Sequence, residues 1–284
     1  MTVLQFEHAR QGVWIVGGII SSPPLPTKSI PGLVRRGEAV TNDIGEHWRV
    51  CIELDELWHG GEQLVQERHA RLASACPKEP TDSLSQFVRT FPDRSLLLDL
   101  ETCGFAGCAL FLVGLLRQIV GRLVVELLLA RNYAEESAVL ASLWQRVAPE
   151  GVVVTFNGKS FDWPMVVDRS RRHLLFRGRQ LPTPPHLDLL HPARRRWRNE
   201  LPDCKLQTLE QKICGRSRTS DIPRSQVLAA SQEYVRIGFG RKMDVILLHN
   251  VVDLVTLMCL ECELRTSLSF NRFTRLSLLL NPQR

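Results

Sequence analysis

Apolar and polar positions follow two different regimes along this chain. From residue 95 the pattern is regular, with apolar runs of strand length at 95–100, 109–116 and 122–130, then helical spacing from about Ala134 to Val147. A fourth strand-like run, Val152 to Phe156, ends at the punctuating pair Asn157-Gly158. Phe161 to His173 then has helical spacing, with Pro164 tolerated in a first turn. His186 to Leu190 reads as a short extended piece, and helices are predicted over 208–214, 225–236 and from Asp244 to about Ser267. Successive strands, a helix and another apolar strand predict an α/β fold, a mixed β-sheet flanked by helices.

The first ninety residues lack this rhythm. Gly12 to Ile20 is strand-like, the Pro-rich Ser22-Pro-Pro-Leu-Pro26 breaks it, and the next periodic stretch is an amphipathic helix from Glu62 to Ser74. The expected organisation is an N-terminal extension over 1–90, partly ordered and of undisclosed role, a domain over 91–270, and a C-terminal tail over 271–284.

Composition narrows the class. A chain of 284 residues that is 44% hydrophobic can bury a sizeable core. The apolar stretches Val13–Ile20 and Ala109–Leu116 fall short of the ~20 residues a membrane-spanning helix needs. No cleavage pattern follows the first of them, so a cytoplasmic protein without a membrane partner is expected. Eight cysteines, at 51, 76, 103, 108, 204, 214, 259 and 262, are scattered through core-like segments and do not form a disulfide framework. The Cys259-Leu-Glu-Cys262 pair lies within a helical pattern and reads as a structural helix face, and Cys103 reads as packing.

Chemistry enters with "LLLDLETCG", residues 96 to 104, where an apolar strand ends in Asp99 and Glu101. Two residues apart on a strand, these carboxylates point to one face, and desolvated carboxylates require a cation or hydrogen bonds in place of water. Asp162 follows the turn Asn157-Gly-Lys-Ser160 at the carboxyl end of a strand, where open α/β sheets bind ligands. His249 and Asp253, at i and i+4, share a helical face. Four carboxylates and one imidazole on three elements suit a hard divalent ion, Mg²⁺ or Mn²⁺.

Taken together, Leu98-Asp-Leu-Glu-Thr102, Thr155-Phe-Asn-Gly-Lys-Ser-Phe-Asp162 and His249-Asn-x-x-Asp253 resemble the three motifs of the DEDD exonucleases of the ribonuclease H-like superfamily. The chain is similar in particular to the YprB-type ribonuclease H-like domain, with further matches at His186-Leu-Asp-Leu-Leu190, Ala193–Trp197, Cys204–Glu210 and Arg218–Pro223. The resemblance covers roughly 95–265 and implies metal ligands at Asp99, Glu101, Asp162 and Asp253, a general base at His249, and two Mg²⁺ or Mn²⁺ ions. It implies phosphodiester hydrolysis, with a 3′-5′ exonuclease as the leading reading. A structure-specific endonuclease and a nucleic-acid-binding module with little turnover stand beside it. His249 precedes Asp253 by four residues, where the histidine branch of the family uses five. Asp188 is expected to cap the following helix or pair with a nearby arginine, and His186 to be structural.

Charge points to the partner. Of 36 basic residues six are lysines, so 30 are arginines. Nine of these lie between Arg169 and Arg198 with Asp188 as the sole acidic residue, a run suited to a phosphate backbone and, by the motifs, to a single-stranded DNA or RNA end. Arg194, Arg195 and Arg196 are candidate phosphate contacts, Trp197 either stacks on a base or packs in the core, and Asn157 and Lys159, beside Asp162, are candidate contacts to the scissile strand, with Asn157 equally able to serve only the turn. A solvated helix face is the alternative for the arginines.

Overall fold

The computed structural model describes residues 14–16, 19–21, 32–75, 82–103, 108–216, 233 and 241–280, with side chains in the last helix described from 242 to 264. The helix expected over 225–236 and the Arg218–Pro223 match lie outside these residues, apart from Glu233.

A two-stranded ribbon, β1 (Trp14–Val16) with β2 (Ile19–Ser21), splits the strand expected at 12–20. The main sheet has seven strands: β3 (Glu38–Thr41), β4 (Glu46–Glu53), β5 (Leu96–Thr102), β6 (Leu110–Ile119), β7 (Arg122–Leu129), β8 (Val153–Thr155) and β9 (His186–Asp188). Their order is β3-β4-β7-β6-β5-β8-β9; the first five pair antiparallel, while β8 and β9 join parallel to β5. This is the mixed α/β sheet that the sequence pattern predicts.

The difference lies at the N-terminal side. Residues 38–53, read from sequence as part of an extension, supply the edge pair β3–β4, and β4 is paired with β7 along six positions. The sheet therefore begins before residue 91. β4 buries His47, Val50 and Ile52 among half-buried and exposed neighbours, and so sparse an apolar pattern carries little periodic signal.

Helices cover both faces. One face holds α4 (Glu136–Arg146) and α5 (Asp162–Arg172), packed on Leu96, Leu98, Val113, Leu115 and Leu128. The other holds α1 (Leu54–Leu57), α2 (Gly61–Ala75), α6 (Leu190–Trp197), α7 (Leu206–Lys212) and the long α8 (Arg241–Leu280), over Leu97, Leu112, Leu116, Val125 and Leu127. A short α3 (Ser83–Thr90), capped by Asp82 and Ser85, leads into β5. Helix α8 continues past the expected boundary at 270.

By length and composition, 242–264 is apolar enough to cross a membrane. In this fold Met243, Ile246, Leu247, Val251, Leu254 and Val255 of that segment are fully buried in the core. Cys259 and Cys262 are buried on the same helix.

Candidate active site

Alternation along β5 decides where its carboxylates go. Leu96 and Leu98 pack beneath α4 and α5, Leu97 packs beneath α8, and so Asp99 and Glu101 project to the α8 side. Asp99 pairs in register with Gly114 of β6. That glycine is a spatial requirement: a Cβ there would fall 1.7 Å from Asn250 Oδ1 and 2.9 Å from Leu254 Cδ1. The space lets α8 approach the sheet, and Asn250, wholly buried, donates from Nδ2 to Asp99 Oδ2 at 2.7 Å. Just before Asn250 on α8, His249 Nε2 lies 3.4 Å from Oδ2 of Asp253, one turn further along. The four-residue spacing makes the imidazole a neighbour of Asp253.

Asp162 arrives from the other side. β8 pairs only with Leu96 and Leu97 of β5, so β5 outruns its parallel neighbour and the amide of Leu100 is left to donate to the Asp162 carboxylate, as does Asp162's own amide. Asp162 thus docks onto β5 at the residue between Asp99 and Glu101. Burial pushes its carboxyl up to about 6, and the charges of Asp188 and Asp253 push in the same direction.

The turn that delivers Asp162 is organised by Asp188. Its buried carboxylate accepts from the amides of Asn157 (2.7 Å), Lys159 (3.1 Å) and Leu190 (3.1 Å), so it holds the 157–159 turn and the first amide of α6 at once, while the N-cap position itself is Leu189, without a side-chain cap. Asn157 takes φ 64°, a conformation Asn tolerates, and a Cβ at Gly158 would meet Thr155 Oγ1 at 2.4 Å. His186 Nε2 bonds Thr155 Oγ1 at 2.8 Å, and burial, with Lys159 nearby, lowers its pKa to about 4, so it is neutral and structural.

Two sequence readings are resolved by burial. Trp197 is 4% exposed and belongs to the core, so of its two readings packing holds and its ring is not open to a base. Phe161, by contrast, is 65% exposed immediately before Asp162. Its exposure could not be read from the sequence, where it falls within a helical pattern. Arg194 and Arg195 are exposed on α6, and Arg196 is paired with Glu200 at 2.5 Å. Lys159 is exposed at the turn.

The donors are hard oxygens, and the Asp162 carboxyl, raised first by burial and then by the charges of Asp188 and Asp253, is one that a nearby divalent cation would return to its ionised form. Among the described residues no three such groups stand close enough to hold one ion as they are. The chemistry of the donor set fits Mg²⁺ or Mn²⁺.

A mixed sheet with an interior strand that ends in carboxylates, met by one aspartate from a helix start and another from a long crossing helix, defines a ribonuclease H-like α/β domain. A family model described as the RNase_H superfamily matches residues 96–264, and this chain belongs to that superfamily. It is similar to the uncharacterized protein YprB of Bacillus subtilis (strain 168), 34% identical over 167 residues. The match takes in 57% of this chain and 40% of that relative's length.

Proposed function

We propose that this protein is a divalent-metal-dependent nuclease that hydrolyses phosphodiester bonds of DNA or RNA, acting as a 3′-5′ exonuclease on single-stranded ends. The observation that carries the reading is the meeting of Asp162 with β5 between Asp99 and Glu101, in a chain of a superfamily whose members are usually nucleases. Asp99, Glu101, Asp162 and Asp253 hold the metal, two ions of Mg²⁺ or Mn²⁺. Such ions lower the pKa of water and neutralise charge on the phosphate being cleaved.

The chain's own residues do the rest. Asn250 holds the Asp99 carboxylate in one orientation through its 2.7 Å bond. His249 accepts the proton of the attacking water at a ring nitrogen, its orientation set by Asp253. Phe161, exposed at the lip, offers a face on which the terminal base stacks. Lys159 and Arg194 to Arg196 supply positive charge to the backbone, with Asn157 at the turn beside them.

A time course with end-labelled single- and double-stranded DNA and RNA under Mg²⁺ and Mn²⁺ tests this. A ladder from the 3′ end that disappears with Asp99→Asn is the expected result. His249→Ala is expected to lower the rate far more than the affinity. Internal cuts would replace the exonuclease with an endonuclease, and intact substrates under all conditions would leave a binding module.

A further inference from the structure

The nine arginines between 169 and 198 do not form one uniform patch. Arg169, Arg172 and Arg196 are paired with Glu136, Asp168 and Glu200. Arg171, Arg177 and Arg179 instead line one open cavity of about 270 Å³, beside Leu174, Phe176 and Gln180. No acidic side chain lines it. Three arginines line this one space, so an anion entering it would meet positive charge from three side chains.

The cavity is built on tight turns with a firm floor. Arg177 N donates to Leu174 O at 3.1 Å and Arg179 N to Phe176 O at 2.9 Å. Leu174 takes φ 55° while 62% exposed, a strained backbone that no burial offsets. Phe176 meets Trp144 edge-on at 5.2 Å, and Trp144 Nε1 donates to Ser170 Oγ at 2.8 Å.

Its position ties it to the carboxylates. Glu136 accepts from Arg169 Nε at 2.6 Å, bonds His173 Nε2 at 3.0 Å, and accepts from Leu110 N at 2.9 Å. Leu110 is the register partner of Thr102, next after Glu101. One buried carboxylate therefore anchors both the end of α5 and the start of β6 at the edge where the site lies. Along α5, Asp162 and Arg171 are separated by ~14 Å of helix rise, roughly four nucleotides at ~3.4 Å each when stacked.

We propose that this cavity is a phosphate-binding subsite for single-stranded nucleic acid, gripping the backbone roughly four nucleotides from the bond held at the carboxylates. The spacing rests on the nuclease reading above; the binding does not.

The test is an Arg171→Gln/Arg177→Gln/Arg179→Gln variant, with thermal unfolding to confirm that replacing three exposed side chains leaves the fold intact, and Arg177→Gln alone as the milder companion. Labelled single strands of about 20 and about 3 nucleotides are titrated in EDTA at several salt concentrations. The expected result is a tenfold or greater loss of affinity for the longer strand, a salt slope shallower by about 2, from ~0.7 per lost phosphate contact, and an unchanged short strand. Unchanged affinity and slope for the longer strand overturn the subsite, and equal losses for both lengths overturn its distance from the carboxylates. Because binding is read without metal, a wild-type protein that cleaves nothing removes the nuclease reading while leaving the subsite standing.

Discussion

Asn250 and Asp99, 151 residues apart in the chain, are joined by a 2.7 Å hydrogen bond over the bare backbone of Gly114. The amide can only donate through Nδ2, so it fixes the orientation of one carboxylate oxygen of Asp99. Asn250→Ala is expected to lower the metal-dependent rate at least tenfold and to raise the Mg²⁺ concentration for half-maximal activity, in a metal titration of initial rates. Gly114→Ala places a methyl where Asn250 Oδ1 sits and is expected to destabilise the fold by about 1–3 kcal/mol, measured by urea unfolding. A Gly114→Ala protein with wild-type stability would mean that α8 does not lie this close to the sheet.

Asp162, raised to about 6 by burial and by the charges of Asp188 and Asp253, makes metal-free stability depend on pH. The folded state binds this proton more tightly than the unfolded chain, whose value is near 3.8. The group's stabilising contribution is therefore full below that value and is lost as pH rises through about 6. Asp162→Asn is expected to raise the metal-free melting temperature at pH 8, by the equivalent of about 1–2 kcal/mol, and not at pH 4. It is also expected to abolish the stabilisation by Mn²⁺. Calorimetry at the two pH values distinguishes this from a general effect.

Glu136 behaves in the opposite sense. Burial works against its ionisation, but Arg169, His173 and the Leu110 amide outweigh it and hold the carboxyl below its usual range. That stability is present above the ordinary glutamate value and is lost as pH falls through the lower folded value. Glu136→Gln leaves Arg169 with one charge partner fewer and is expected to cost about 3 kcal/mol at pH 7, with the deficit shrinking toward pH 3 in denaturant titrations.

Phe161 is exposed and Trp197 is buried in the core. Phe161→Ala is expected to weaken single-strand binding by about 1–3 kcal/mol with little change in melting temperature. Trp197→Ala empties a core position and is expected to cost about 3–5 kcal/mol of stability. Parallel anisotropy and unfolding measurements separate the two; a Phe161→Ala protein with unaltered binding would remove the stacking face.

On α6, Arg194 and Arg195 are exposed and Arg196 is paired with Glu200. Arg194→Gln/Arg195→Gln is expected to flatten the salt dependence of single-strand binding by about 1.4, while Arg196→Gln changes it less because its charge is already neutralised. Salt titrations with one labelled strand resolve the difference, and equal slopes for the two variants would return this helix face to ordinary solvated surface.

The strands β5 to β8 and the helices α4, α5 and α8 were legible because each repeats its apolar positions within a single segment, at period 2 or 3.6. The order of the carboxylates at 99, 101, 162 and 253 was legible for the same reason: each stands at the end or on one face of a segment whose local pattern is strong. Membership of β3 and β4 in the sheet was not legible, because an edge pair with one covered face leaves a weak pattern and its partner β7 lies far along the chain. Nor could the sequence sort nine arginines into those paired with carboxylates and those lining a cavity, or tell buried Trp197 from exposed Phe161, since neighbours in space decide these and not neighbours in sequence. The sequence by itself thus determined the strongly periodic strands β5 to β8 and helices α4, α5 and α8, and which residues carry charge to their ends or faces. Only the tertiary structure decided that Leu100 would donate to Asp162, that Asn250 would hold Asp99 across Gly114, and that Glu136 would tie α5 to β6, because each is a contact between segments that local periodicity cannot encode.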